Sequence, residues 1–161
     1  RTYGILPGKK AVFSIGHDFG IEAAIDLHDL GLSVACVADI REDGQDPELL
    51  RKLDERKIAF FRGWVANCAH GRKKVAGITL SGIDGLVKKK FACDLVVASA
   101  GWTPVTGPIT IALGKLKYDS HTGFFLVDKL PEKMHVAGRI TGLEDAASIE
   151  ASGTLAGLKA A

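Results

Sequence analysis

The residues with the strongest chemical pattern lie in the first forty positions. Gly16, His17 and Gly20 follow the apolar run Ala11-Val12-Phe13-Ser14-Ile15, and Asp39 closes a second apolar run, Ser33 to Ala38. A glycine-rich turn between a first strand and a first helix, with an acid about 20 residues later, is the pattern that cradles a dinucleotide. The glycines allow the backbone to approach a pyrophosphate at the helix N-terminus, and the acid takes a ribose hydroxyl. Gly20 aligns with the third glycine of G-x-G-x-x-G and Asp39 with the acid, but Ile15 and His17 stand where the first two glycines belong. A side chain at His17 occupies space a pyrophosphate would need, and Asp18 adds negative charge beside it. Two readings stay open here: an altered nucleotide site using Gly16, Gly20 and Asp39, or a scaffold of the same type that takes no ligand.

Other candidates are weaker. His17 in its loop suits either a phosphate contact or plain exposure. Gly101 closes a later buried run at the same end of the expected sheet. Trp102 beyond it suits either stacking on a ligand or plugging a domain junction. Arg139, after Gly138, suits either a phosphate or a partner carboxylate. His28, His70, His121 and His135 share no metal-ligand spacing, and no Gly-x-Ser-x-Gly nucleophile motif occurs. Cys36, Cys68 and Cys93 make no Cys-x-x-Cys pair, so no zinc site or disulfide framework is expected, and all three are expected to pack as small hydrophobes.

The elements that must position these residues follow from apolar periodicity. Ala11–Ile15 reads as a buried strand, Ile21, Ala24, Ile25 and His28 as one face of a helix ending at Gly31, and Ser33–Ala38 as a second strand. Pro47 opens a helix through Leu53, and Ile58–Phe61 is a third strand. Hairpin signals then take over: Trp64–Ala69, Val75–Leu80 and Leu86–Phe91, with turns at Gly71 and Asp84-Gly85. Leu95–Ser99 is another buried strand. Leu116–Tyr118 and Phe124–Val127 suggest a hairpin around His121-Thr122-Gly123, Met134–Ala137 a short strand, and Glu144–Ala161 a small-residue helix. The expected fold class is therefore α/β: a Rossmann-like parallel sheet carrying an antiparallel three-stranded meander, followed by a strand-helix segment.

Composition narrows the function classes. The chain has 161 residues, 47% hydrophobic and 25% charged, with a formal net charge of +2, which excludes a disordered or collagen-like chain. The near-neutral balance gives no electrostatic reason to expect nucleic acid, and Lys88-Lys89-Lys90 reads as a solvated strand edge. No apolar stretch reaches the 18 or so residues of a membrane span, so no membrane partner and a cytoplasmic location are expected. The Arg1 start and the small-residue pattern at Ala161 suggest a piece of something longer.

Several segments together resemble a known family. Tyr3 to Val12, Gly16-His17-Asp18, Asp94 to Pro104, Gly114 to Asp119 and Val136 to Ala161 resemble the central region of the α subunit of heterotetrameric sarcosine oxidase and related amino-acid and opine dehydrogenase subunits. Gly20-Ile21-Glu22-Ala23-Ala24 resembles the wider two-dinucleotide-domain flavoprotein superfamily, that of the pyridine nucleotide-disulfide oxidoreductases. The resemblance implies a connector at 1–8, an inserted NAD(P)-binding-like domain at 9–104, and at 105–161 the return segment of a first, incomplete FAD/NAD-binding-type domain. It implies an oxidoreductase of secondary amines or amino acids, with NAD or FAD in the complete protein and no cofactor assigned to this chain alone. Its implied partners are other domains of the parent chain and a flavin-bearing β subunit; the alternative is a scaffold that orders subunits without catalysis. Gly16, His17, Gly20, Asp39 and Gly101 would border the inserted-domain crevice, while Gly138 and Arg139 would border the first-domain cofactor. The superfamily's Gly-Asp pair appears here as Gly138-Arg139. Such a return segment is expected to expose apolar surface near the C-terminus.

Overall fold

A computed structural model describes residues 5–119 and 124–160. They form two compact units divided between Gly101 and Trp102.

In the first unit, β1 (Lys10–Ile15), α1 (Asp18–Asp29), β2 (Ser33–Asp39), α2 (Pro47–Glu55) and β3 (Ala59–Arg62) precede an antiparallel meander of β4 (Trp64–Gly71), β5 (Val75–Gly82) and β6 (Lys88–Phe91). The unit ends with β7 (Leu95–Ser99). The parallel sheet runs β3-β2-β1-β7, and the meander runs β4-β5-β6. This is the Rossmann-like architecture with inserted meander that the apolar runs indicate.

Strand alternation explains why β1 carries apolar residues on both of its faces. Ala11, Phe13 and Ile15 face Ile21, Ala24 and Ile25 of α1 and Leu49 and Leu53 of α2. Val12 faces the other way, into a cluster with Cys36, Ala38, Ile78, Leu80 and Cys93. Both faces of the sheet are thus covered, by helices on one side and by the meander on the other. Ser14 on that second face accepts a hydrogen bond from the Ala66 amide at 3.3 Å.

Helix α1 stops where Gly31 takes φ +97°, which an L side chain resists. Helix α2 is capped by Asp46, whose carboxylate accepts from the Glu48 amide at 2.7 Å, with Pro47 in its first turn. Asp94 fixes the start of β1 by accepting the Lys9 and Lys10 amides at 2.7–3.0 Å. Those amides, Lys10 first, hold the Asp94 carboxyl below its ordinary pKa of 3.8.

The second unit holds α3 (Gly107–Ile111), a hairpin of β8 (Lys115–Asp119) and β9 (Phe124–Lys129), a 3-10 turn at Gly138–Thr141, and α4 (Ala146–Ala160). The expected hairpin turn at His121-Thr122-Gly123 lies outside the described residues. Ile109 is the one buried hydrophobic residue among those described in this unit, and α4 buries none.

Three expectations are corrected. Met134–Ala137 forms no strand; it is irregular and leads into the 3-10 turn. A strand needs a ladder partner, and among the described residues the β8-β9 sheet has two strands. Cys68 is exposed, unlike the buried Cys36 and Cys93, because β4 is an edge strand whose last six residues all face solvent. Leu95–Ser99 is half-buried rather than buried, because β7 is an edge of the four-stranded sheet. Lys88-Lys89-Lys90 is exposed on the edge strand β6, as expected, and the Lys89 ammonium in addition lies 4.6 Å from the Phe61 ring centroid and 5.5 Å from that of Trp64.

Candidate functional site

Parallel strands β1, β2 and β7 deliver five of the seven candidate residues to one edge of the first unit. Gly16 follows β1 and donates to the Ser99 carbonyl at the end of β7 at 2.8 Å, while the Ile40 amide, after β2, donates to the Ile15 carbonyl at 3.0 Å. Gly16, His17, Gly20, Asp39 and Gly101 therefore gather at the C-terminal ends of the strands, where open α/β sheets place ligands.

Gly20 has a packing reason. A Cβ there would come within 2.4 Å of Ile15 Cγ2, so a side chain would push α1 off β1. This is the role of the third glycine in a dinucleotide turn. Gly101, at φ +96°, lies against His17, whose Cβ would stand 3.1 Å from a Cβ at that position. His17 takes extended backbone and caps α1, its Nδ1 accepting from the Phe19 amide at 3.4 Å with its ring stacked on Phe19 at 5.0 Å. The imidazole thus occupies the turn between β1 and α1.

Asp39 is wholly buried and fully engaged. It accepts the Arg41 amide at 2.9 Å, Arg41 Nη2 at 2.7 Å, Arg41 Nε at 3.2 Å and Gln45 Nε2 at 3.4 Å. The same Nη2 of Arg41 donates to Asp18 Oδ1 at 2.6 Å, and the Asp46 amide donates to Asp18 Oδ2 at 3.3 Å. Hydrogen bonding to Asp39 first, and to Asp18 after it, raises the Arg41 pKa above its ordinary value against the opposing effect of burial. One guanidinium therefore joins the first turn of α1 to the end of β2, and Asp18 links both to the N-cap of α2.

These residues do not fit a dinucleotide. The carboxylate that would take a ribose hydroxyl is spent on Arg41 and Gln45, and the helix terminus that would take a pyrophosphate has its own anion, Asp18, in its first turn. The sequence signals Arg41 only as an arginine two positions past the acid, and Gln45 not at all. Among the described residues no cluster of three or more His, Cys, Asp or Glu side chains suits a metal ion.

Gly138 and Arg139 belong to the second unit. Gly138, at φ +77°, donates to Ser152 Oγ at 2.9 Å. Arg139 lines a cavity of about 200 Å³ with Trp102, Pro104, Phe124 and Leu143.

With this geometry in place, comparison with solved structures settles the fold. Thioredoxin reductase of T. acidophilum matches 98% of this chain with a TM-score of 0.72 and 24% identity. Lactococcus lactis thioredoxin reductase matches 95% at TM-score 0.69 and 17% identity. These likenesses show the fold: a Rossmann-like α/β architecture with parallel and antiparallel sheets. Bacillithiol disulfide reductase of Staphylococcus aureus matches with a TM-score of 0.67 and 17% identity over 94% of the chain. The chain spans 53%, 52% and 50% of these three structures, about half of each. Among curated sequences, the sarcosine oxidase subunit alpha of Corynebacterium sp. (strain P-1) is 33% identical over 73 residues, which is 45% of this chain and 8% of that protein. No family model matches the chain. Among the described residues no helix is long and apolar enough to cross a membrane.

Proposed function

We propose that this chain is the central, nucleotide-domain-like part of an FAD/NAD-linked oxidoreductase of the sarcosine oxidase α kind, acting on secondary amines or amino acids. The observation that carries this reading is the 33% identity with sarcosine oxidase subunit alpha over 73 residues, on a fold shared with flavoprotein-type reductases. The complete protein uses NAD or FAD, and hydride chemistry belongs to that cofactor while the protein supplies binding and orientation. Residues 9–104 are an inserted dinucleotide-type domain, and 105–161 are the return segment of a second one, packed in the complete protein against other domains of the same parent chain. The exposed apolar side chains of the second unit, Leu155 and Leu158 of α4 among them, support that placement. A flavin-bearing β subunit completes the assembly, in the cytoplasm.

Two of the solved structures are named thioredoxin reductases and one a bacillithiol disulfide reductase, and this chain's cysteines do not favour thiol chemistry. Burial first, and the neighbouring Cys93 second, push the Cys36 thiol up to about 12, and burial raises Cys93 as well. Reactive thiols need the opposite shift. Cys68 stands by itself on the edge of the meander.

A second reading concerns the inserted domain's role within such a protein. The Asp18–Arg41–Asp39 arrangement favours a ligand-free module that orders its surroundings, leaving cofactor binding to other parts.

The test is an assay of the native protein, isolated with whatever it assembles with. Amine-dependent dye reduction with sarcosine or another secondary amine, together with bound flavin or NAD, is the expected result. An intact assembly with neither cofactor nor amine-dependent reduction refutes the proposal.

A further inference from the structure

We propose that the Asp18–Arg41–Asp39 bridge is a built-in occupant of the dinucleotide crevice, which makes this unit refuse NAD and NADP. The inference rests on the reading of residues 9–104 as a ligand-free dinucleotide-type domain and names the groups that close it.

The two positions that mark a dinucleotide turn, the acid at the end of β2 and the N-terminus of α1, are both engaged within the chain. At the ribose position, both oxygens of the buried Asp39 carboxylate face the Arg41 guanidinium, at 3.2 Å from Nε and 2.7 Å from Nη2. An entering ribose must break charge-assisted hydrogen bonds and leave a buried carboxylate short of partners. At the pyrophosphate position, Asp18 supplies negative charge in the first turn of α1, and His17 fills the turn and caps the Phe19 amide. A pyrophosphate would meet like charge at the helix terminus that otherwise attracts it. Arg41 does not offset this as a phosphate reader, because its Nε and Nη2 are committed to the two carboxylates.

The bridge also has a mechanical role. Asp18 is on α1, Asp39 ends β2 and Asp46 caps α2, so one arginine and one carboxylate tie three elements together at the edge where a cofactor would otherwise do so. Arg41 and Asp18 are about a quarter exposed, with side-chain exposures of 26% and 28%. The ion pair is therefore only partly screened, and its loss registers in stability.

The test has two arms. In the first, NAD and NADP are titrated calorimetrically into the chain and into a variant carrying His17→Gly, Asp18→Ser and Arg41→Ala. The unaltered chain is expected to give no saturable heat at millimolar nucleotide. The opened variant is expected to bind NAD at least on the order of 100-fold more tightly, the scale of one charge-assisted hydrogen bond no longer displaced. Saturable binding by the unaltered chain overturns both the proposal and the ligand-free reading. Silence from an opened variant that retains its circular dichroism overturns the proposal alone. In the second arm, which stands if the opened variant does not fold, Asp18→Asn and Arg41→Met are compared singly and together. Asp18→Asn is expected to lower the thermal midpoint by about 4 °C and Arg41→Met, which also leaves the buried Asp39 short of its partner, by more, with the pair losing little more than Arg41→Met alone. Strictly additive losses overturn the bridge.

Discussion

The two units of this chain divide apolar surface in opposite ways. Residues 5–101 close two clusters, one on each face of a parallel sheet, and Phe13, Ile21, Val37, Leu53 and Leu80 in them are almost wholly buried. The described residues of 102–160 bury Ile109 and leave Ile111, Leu113 and Leu158 between 73% and 88% exposed. Hydrophobic stabilisation scales with the area removed from water, so burial contributes far more in the first unit than in the second. Backbone hydrogen bonding is present in both units. What differs is whether the sheet has a covered face.

The largest expected effect would break this comparison if it failed. Phe13→Ala should cost about 3–5 kcal/mol, the usual cost of emptying an aromatic core site. Leu158→Ala should stay within about 0.5 kcal/mol. Urea denaturation followed by Trp64 fluorescence for the first unit and by far-ultraviolet circular dichroism for the second measures both, and similar losses at the two sites would erase the distinction.

Acid sharpens the comparison within the first unit. Arg56, which donates to both Asp29 oxygens at 2.7 Å, holds the Asp29 carboxyl down to about 2 from an ordinary 3.8. The backbone amides of Lys10 and Lys9 lower Asp94 in the same direction. A carboxyl depressed in the folded state contributes stability that is fully present above its unfolded pKa and lost as pH falls through the folded one. The thermal midpoint should accordingly fall between about pH 4 and pH 2, and Asp29→Asn and Asp94→Asn should each flatten that fall. An unchanged slope in either variant would remove its aspartate from the account.

The smallest effect separates the interior of the first unit from its edge. Cys68 should react with a thiol reagent at pH 8 in the native protein, while Cys36 and Cys93 react only after denaturation. Mass spectrometry of the labelled chain reads this directly, and fast labelling of Cys36 would contradict its burial.

Much of this was legible in the sequence where one residue's surroundings are local. The apolar runs of β1 and β2 announce strands covered on both faces, whereas that of β7 does not show that it ends up half-buried at the edge of the sheet, and Gly20 and Asp39 stand at the spacing of a dinucleotide turn. The features that escaped depend on distant parts of the chain. Arg41 reaches Asp18 across 23 positions, and that pairing depends on the path taken by the loop between β2 and α2. Met134–Ala137 has a strand's composition, but pairing requires a neighbour that composition does not reveal. Cys68 shares the apolar surroundings of Cys36, yet its exposure follows from β4 being an edge, a property of strand order. The Gly16-His17-Asp18 loop shows what the turn lacks, but not what replaces the ligand.

Native-state hydrogen exchange, read by mass spectrometry at peptide resolution, tests the contrast between the units most directly. The amides of β1 and β2 are expected to exchange only through global unfolding, with α4 and the β8-β9 hairpin exchanging orders of magnitude faster through local opening. Protection of Ala146–Ala160 equal to that of Lys10–Ile15 would contradict the account, because a helix that buries no residue would then be as stable as the central strand of the core.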